Sequence, residues 1–120
     1  MLDIVNTALA LFSIALGLIG WLAPRYTMEV VDLRQGDTTM GLSEVRAASG
    51  ALFVGLGVGA MLLGTPQAFA MIGFAWGFAA IGRLTSALVD DHPTRKTWGF
   101  FACEAFVGAA LIGLNLGPLL

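Results

Sequence analysis

Apolar residues in this chain run in four long blocks, and the polar residues are gathered between them. Ile4 to Leu22 is an uncharged run of 19 residues, close to the ~20 that an α-helix needs to cross a hydrocarbon core. Pro24 closes it. The second block predicts a helix over 43–64, with Ser43 as its N-cap and Thr65-Pro66 ending it. Two more helices are expected over 67–89 and 97–116, the last stopping before Pro118. Only a Thr-Pro turn joins the second and third, so those two must be antiparallel neighbours. The expected architecture is all-α, a transmembrane four-helix bundle, with residues 1–120 forming a single integral membrane domain.

Composition agrees. Residues of the AVILMFWYC class make up 58% of the chain and charged residues 12%, whereas a soluble domain carries about a quarter charged. Mean hydropathy is +0.85. A net charge of −2 with no basic patch argues against nucleic acid. The single Cys103 leaves no internal disulfide and no multi-cysteine metal site. The first block lacks the basic start and the A-x-A site of a signal peptide, since Asp3 is its only charge, so it is expected to be a retained helix.

Two connections hold most of the polar residues. Within 24–42, the segment Tyr26 to Leu33 alternates Met, Val and Leu with Glu29 and Asp32, which fits a short interfacial helix or an ordered loop equally well. The other connection is Asp90 to Lys96. Both lie on one side together with Arg25, Arg34, Arg95 and Lys96, while the side holding the termini and Thr65-Pro66 has no Lys or Arg. The positive-inside rule then predicts cytoplasmic loops and periplasmic termini in a bacterial inner membrane. Trp21, Tyr26 and Trp98 fall at the loop ends of their helices, where amphipathic rings sit at headgroup level.

Lipid supplies no hydrophobic drive for helix association, so close approach at small residues has to. Each block carries such a stripe. The first has Asn6, Ala10, Ser13 and Gly17; the second has Ala47, Ala51, Gly55 and Gly59 at strict four-residue spacing. The third has Gly73-x-x-x-Gly77 and a second face of Ala75, Ala79, Gly82 and Ser86. The fourth has Ala105, Ala109, Gly113 and Gly117. Four stripes predict a tight bundle, or some of them face a partner protein.

Four charges fall inside or at the edge of the spans: Glu44, Arg46, Arg83 and Glu104. A charge at mid-membrane costs roughly 2.5–3.5 kcal/mol on insertion scales, so such groups face inward and pair. Arg83 stands ten residues before Pro93 and Glu104 eleven after it, which sets them at matched depth, about 10 Å inside the helix ends of an antiparallel hairpin. A salt bridge is expected, with Arg46 joining from above and Glu44 close by. Such a cluster is either a structural staple that fixes register or a site where two guanidiniums take an anion while Glu104 titrates. The staple is the stronger of the two, because the set neutralises itself.

Other chemistry is thin. His92 is the sole histidine and sits in a loop, so no histidine pair can hold a haem. Asp90-Asp91-His92 reads as a solvated loop, and Cys103 as a packing residue beside Glu104. Asn6 is expected to bond across helices. No catalytic set, phosphate loop, metal site or cofactor motif is present in the sequence.

Glu44-x-Arg46 opens a glycine-rich second helix with Ser49-Gly50 and Gly55-Leu56-Gly57, followed by Gly82-Arg83-Leu84, Ser86, Asp91-His92-Pro93 and Glu104. In this order the chain, from Leu9 onward, resembles a family of small bacterial four-helix membrane proteins known only as domain of unknown function 4345. The resemblance implies the fold, marks Glu44, Arg46, Gly82, Arg83 and Glu104, and supplies no activity. Ala48 stands where that family carries an aromatic residue. Length and helix count also suggest small multidrug transporters, but those depend on a glutamate in the first helix, and none lies between Asp3 and Trp21.

Two functions are therefore expected. The first is a non-enzymatic accessory or assembly subunit that sits in the lipid bilayer and docks to other membrane subunits or to copies of itself. The second is a carrier or receptor that binds an anionic lipid or small organic anion at the Arg/Glu cluster.

Overall fold

Threonine, proline and glycine set the helix ends. In a computed structural model that describes residues 2–117, with side chains from Ile4 onward, the chain forms α1 (Leu2–Leu22), α2 (Pro24–Val30), α3 (Met40–Leu63), α4 (Pro66–Val89) and α5 (Arg95–Leu116). Pro118 and the side chain of Asp3 lie outside the described residues. No strand occurs among the described residues. All helices but α2 are long and apolar enough to span a membrane, the architecture of a multi-pass membrane protein.

The turn between α3 and α4 is two residues long. Gly64 takes a left-handed φ of 69° and donates to the carbonyl of Ala60, a conformation that costs glycine little. Thr65 then caps α4 by accepting from the N–H of Ala68 at 3.2 Å, and Pro66 fills the first helical position. Thr94 caps α5 in a reciprocal pair with Thr97, so this helix starts at Arg95, two residues earlier than expected. The start of α3 also differs from expectation. It begins at Met40 and places Ser43 inside the first turn, where the Ser43 N–H donates to the carbonyl of Thr39 at 3.0 Å. The extension buries Leu42 against Met28 and Val45. Tyr26 to Val30 is helical, and Asp32, at φ 62°, closes α2 through a bond from Leu33 N–H to Met28 O.

A seven-residue π-helical turn, Val45–Ala51, interrupts α3. It rotates the buried face: Leu42 is buried before it, Val45 and Gly50 within it, and Gly57 and Ala60 after it. The step of five between Val45 and Gly50 is the spacing of an i→i+5 turn. Gly50 thereby rests on the backbone of Gly20 and Trp21. A methyl group on Gly17 would lie 2.7 Å from Gly50 O and 2.8 Å from Val54 N. Here α1 and α3 meet backbone to backbone.

The second tight pair is α4 with α5. A methyl group on Gly108 would lie 2.6 Å from Gly77 N, and one on Gly73 would lie 3.0 Å from Gly108 O. The strict four-residue stripes are corrected by this packing. Gly55, Gly59, Gly82 and Gly113 have no heavy atom within 4 Å of a Cβ position. Of the expected packing glycines, Gly17 and Gly73 make close contact and Gly77 an ordinary one, while Gly20, Gly50, Gly57 and Gly108 supply the rest.

The two pairs lie side by side in a bundle of 47 × 30 × 17 Å. Between them sit Ala10, Ala60, Phe69, Ile72, Trp76, Val107 and Leu111. At mid-depth the fully buried Ser13 hydroxyl accepts from Trp76 Nε1 at 3.3 Å and donates to Phe53 O at 3.2 Å, joining α1, α3 and α4. Phe12 and Phe53 flank the Trp76 ring, with centroids 5.7 and 5.5 Å away. Nearer the termini, Asn6 and Asn115 exchange amide hydrogen bonds of 2.7 and 2.8 Å between α1 and α5.

This packing predicts opposite outcomes for two glycines of one helix. Gly50→Val forces α3 off α1 and should lower stability in detergent by about 1–3 kcal/mol, the usual cost of overpacking. Gly55→Ala enters open space and should change it by less than about 0.5 kcal/mol. Thermal unfolding followed by tryptophan fluorescence reads both.

Candidate functional site

The charged side chains inside the spans divide between the two helix pairs. Contacts of Gly73, Gly77 and Gly108 lock the register of α4 against α5. With that register, Arg83 and Glu104 face each other. Arg83 Nε donates to Glu104 Oε1 at 2.8 Å and Nη2 donates to Oε2 at 3.0 Å. Two parallel charge-assisted bonds hold the guanidinium plane against the carboxylate. Phe100, one turn before Glu104, places its ring 5.2 Å from Arg83 Cζ, a cation–π contact on a third side. Glu104 is almost enclosed, whereas 34% of the Arg83 side chain stays exposed. Cys103 beside it is a partly buried free thiol.

Arg46 does not join this pair. It belongs to the π turn, which is pressed against α1, and its Nη1 donates to the carbonyl of Trp21 at 2.7 Å. That carbonyl lies in the last turn of α1, whose final carbonyls have no donor within the helix, so Arg46 satisfies a helix end. Glu44 is exposed and makes no ion pair among the described residues. The four expected cluster residues are thus one salt bridge, one C-terminal cap and one free carboxylate. The expectation that Arg46 would reach Arg83 treated all four helices as equal neighbours. In fact α3 packs tightly on α1, and α4 on α5.

Two polar elements were missed in the sequence: the Asn6–Asn115 clasp, of which only Asn6 stood out, and the Ser13–Trp76 bond. Both carry a readable signal. Asn115 is an amide in an otherwise apolar block, and Trp76 is a lone indole at mid-span whose N–H needs an acceptor. Among the described residues no three His, Cys, Asp or Glu side chains come together in a metal-binding group. Asp90, Asp91 and His92 lie in the exposed loop between α4 and α5, where His92 takes a φ of 60°.

An all-α protein of four apolar spans, with a charge pair stapling two of them, is the class that fold and site define. The family described as a domain of unknown function, DUF4345, matches residues 1–114. The chain belongs to that family. Neither the curated proteins nor the solved structures contain a match to it.

The ion pair predicts strong coupling. Arg83→Ala and Glu104→Ala should each destabilise the protein in detergent. The cost should stay below the ~3–5 kcal/mol of a fully buried pair, because Arg83 is partly exposed. The double substitution should recover part of the loss, and a thermal-unfolding double-mutant cycle measures that recovery. Additive effects near zero would show that the pair carries no stability.

Proposed function

We propose that this chain is a non-enzymatic accessory or assembly subunit of a bacterial inner membrane that docks laterally against a larger membrane protein. The observation that carries this reading is the surface around Gly82 and Arg83. Glu104 uses two N–H groups of Arg83, and Nη1 makes no hydrogen bond among the described residues. Beside it Gly82 is exposed, with open space where a Cβ would stand. Hydrocarbon cannot satisfy a guanidinium N–H, and an outward glycine allows a helix backbone to come close. A partner helix offering a carbonyl or carboxylate fits both. The outward faces of Gly113 on α5 and of Gly55 on α3 are open in the same way.

The orientation follows from charge. All six Lys and Arg residues lie in the loops or in the loop-side halves of the spans, which favours cytoplasmic loops and periplasmic termini. The alternative of an anion site shared by Arg46 and Arg83 loses support, because the two guanidiniums have different partners.

Affinity purification from native membranes in mild detergent tests the docking role. A second membrane protein should copurify in stoichiometric amount with the natural chain. Gly82→Leu should abolish that association while leaving thermal unfolding within about 0.5 kcal/mol of the original, as expected of an outward position. A chain that always runs alone, or only with copies of itself, is not an accessory subunit.

A further inference from the structure

On the other helix pair, an open groove of about 560 Å³ lies where the end of α1 and the start of α2 meet α3. Its polar lining includes Arg25, Arg46 and Ser43, and its apolar lining includes Trp21, Ala47 and Ala51. No carboxylate lines it, and neither arginine has a carboxylate oxygen within 4.0 Å among the described residues. The neighbouring groove along α2 is different, since Glu29 and Asp32 there accompany Arg25 and Arg34. Two guanidiniums without an ion-pair partner among the described residues, on facing elements, form a cationic mouth, and the bond from Arg46 to Trp21 O fixes one of them in place.

We infer that this groove binds the phosphate of an anionic membrane lipid, with Arg25 and Arg46 as donors on either side and the Ser43 hydroxyl as a third. Phosphate is the anion whose geometry suits two guanidinium forks. The level is right: Trp21 and Arg25 stand where the first span ends, at headgroup depth. Arg46, six residues into α3, is about 9 Å below that helix's start, within reach of the same level for a long side chain. A lipid fits better than a free anion because the small side chains of Ala47 and Ala51 leave room below the arginines for an acyl chain. The site shares no residue with the Gly82/Arg83 surface, so it stands or falls independently of the docking role.

Native mass spectrometry of the full-length protein released from detergent tests it. Phosphatidylglycerol and phosphatidylcholine of identical acyl chains are supplied in equal amounts. The natural chain should retain phosphatidylglycerol over phosphatidylcholine by about tenfold, and Arg25→Gln with Arg46→Gln should erase the preference. Arg25→Gln alone removes a side chain that makes no hydrogen bond among the described residues, so its effect does not come from loosening α1 against α3. It should lower phosphatidylglycerol retention by about threefold or more. Arg34→Gln with Arg95→Gln removes the same charge elsewhere on this face and should leave the preference within about twofold. Equal loss in that control, no loss in Arg25→Gln, or no preference in the natural chain would each overturn the site. Displacement of the lipid by millimolar inorganic phosphate would assign the groove to a free anion and overturn the lipid assignment.

Discussion

Close backbone contact between α4 and α5 at Gly73, Gly77 and Gly108 is the constraint on which the charged centre depends. Hydrocarbon rewards neither burial of Leu nor burial of Phe, so the helices are held by contact at short range and by a few polar bonds. Where two glycines face each other the helix axes come close, and only one register lets them do so. That register sets Arg83 opposite Glu104 and lets each neutralise the other in a solvent where neither is cheap alone. Larger side chains at the three glycine positions would separate the axes and pull the guanidinium fork away from the carboxylate.

The α1/α3 pair reaches the same closeness by a different route. Its glycines, Gly17, Gly20, Gly50 and Gly57, do not share a four-residue repeat. Gly50 and Gly57, seven residues apart, share one face of α3, and the π turn rotates that face relative to Leu42 and Val45. The widened turn also carries Arg46 to the end of α1, where its guanidinium caps Trp21. Backbone irregularity here serves contact and capping at once, and it opens a cationic groove between the two helices.

Much of the fold was legible because hydropathy reports on solvent directly. Four long apolar blocks gave four spans, and Thr65-Pro66 marked its turn by a cap residue and a proline that suit a helix start. The starts of α3, α4 and α5 moved by one to three residues, to Met40, Pro66 and Arg95. Buried packing in the case of Leu42, and threonine caps in the other two, outweighed the pattern there. The depth match of Arg83 and Glu104 was readable from their distances to Pro93, since a short hairpin leaves little freedom. The positions of Arg46 and of the α3 stripe were not readable. Both depend on a π turn, and the spacing Ala47, Ala51, Gly55, Gly59 assumes an unbroken α-helix. Gly82 and Gly113 were misassigned for another reason: small residues look alike whether they face a helix of the same chain or the outside.

The Asn6–Asn115 clasp has a mechanical consequence. It sits on the same face as the Gly64-Thr65 turn, and both connect one helix pair to the other. Ser13 and Trp76 add a bond at mid-depth. On the opposite face, among the described residues, the side-chain hydrogen bond between the two pairs is the exposed one from Lys96 Nζ to Val30 O. The bundle is therefore bound like a book, with its spine at the termini and its open edge at the loops. Lateral pressure in the membrane acts on the two edges unequally: it meets buried amides on one side and an exposed lysine on the other.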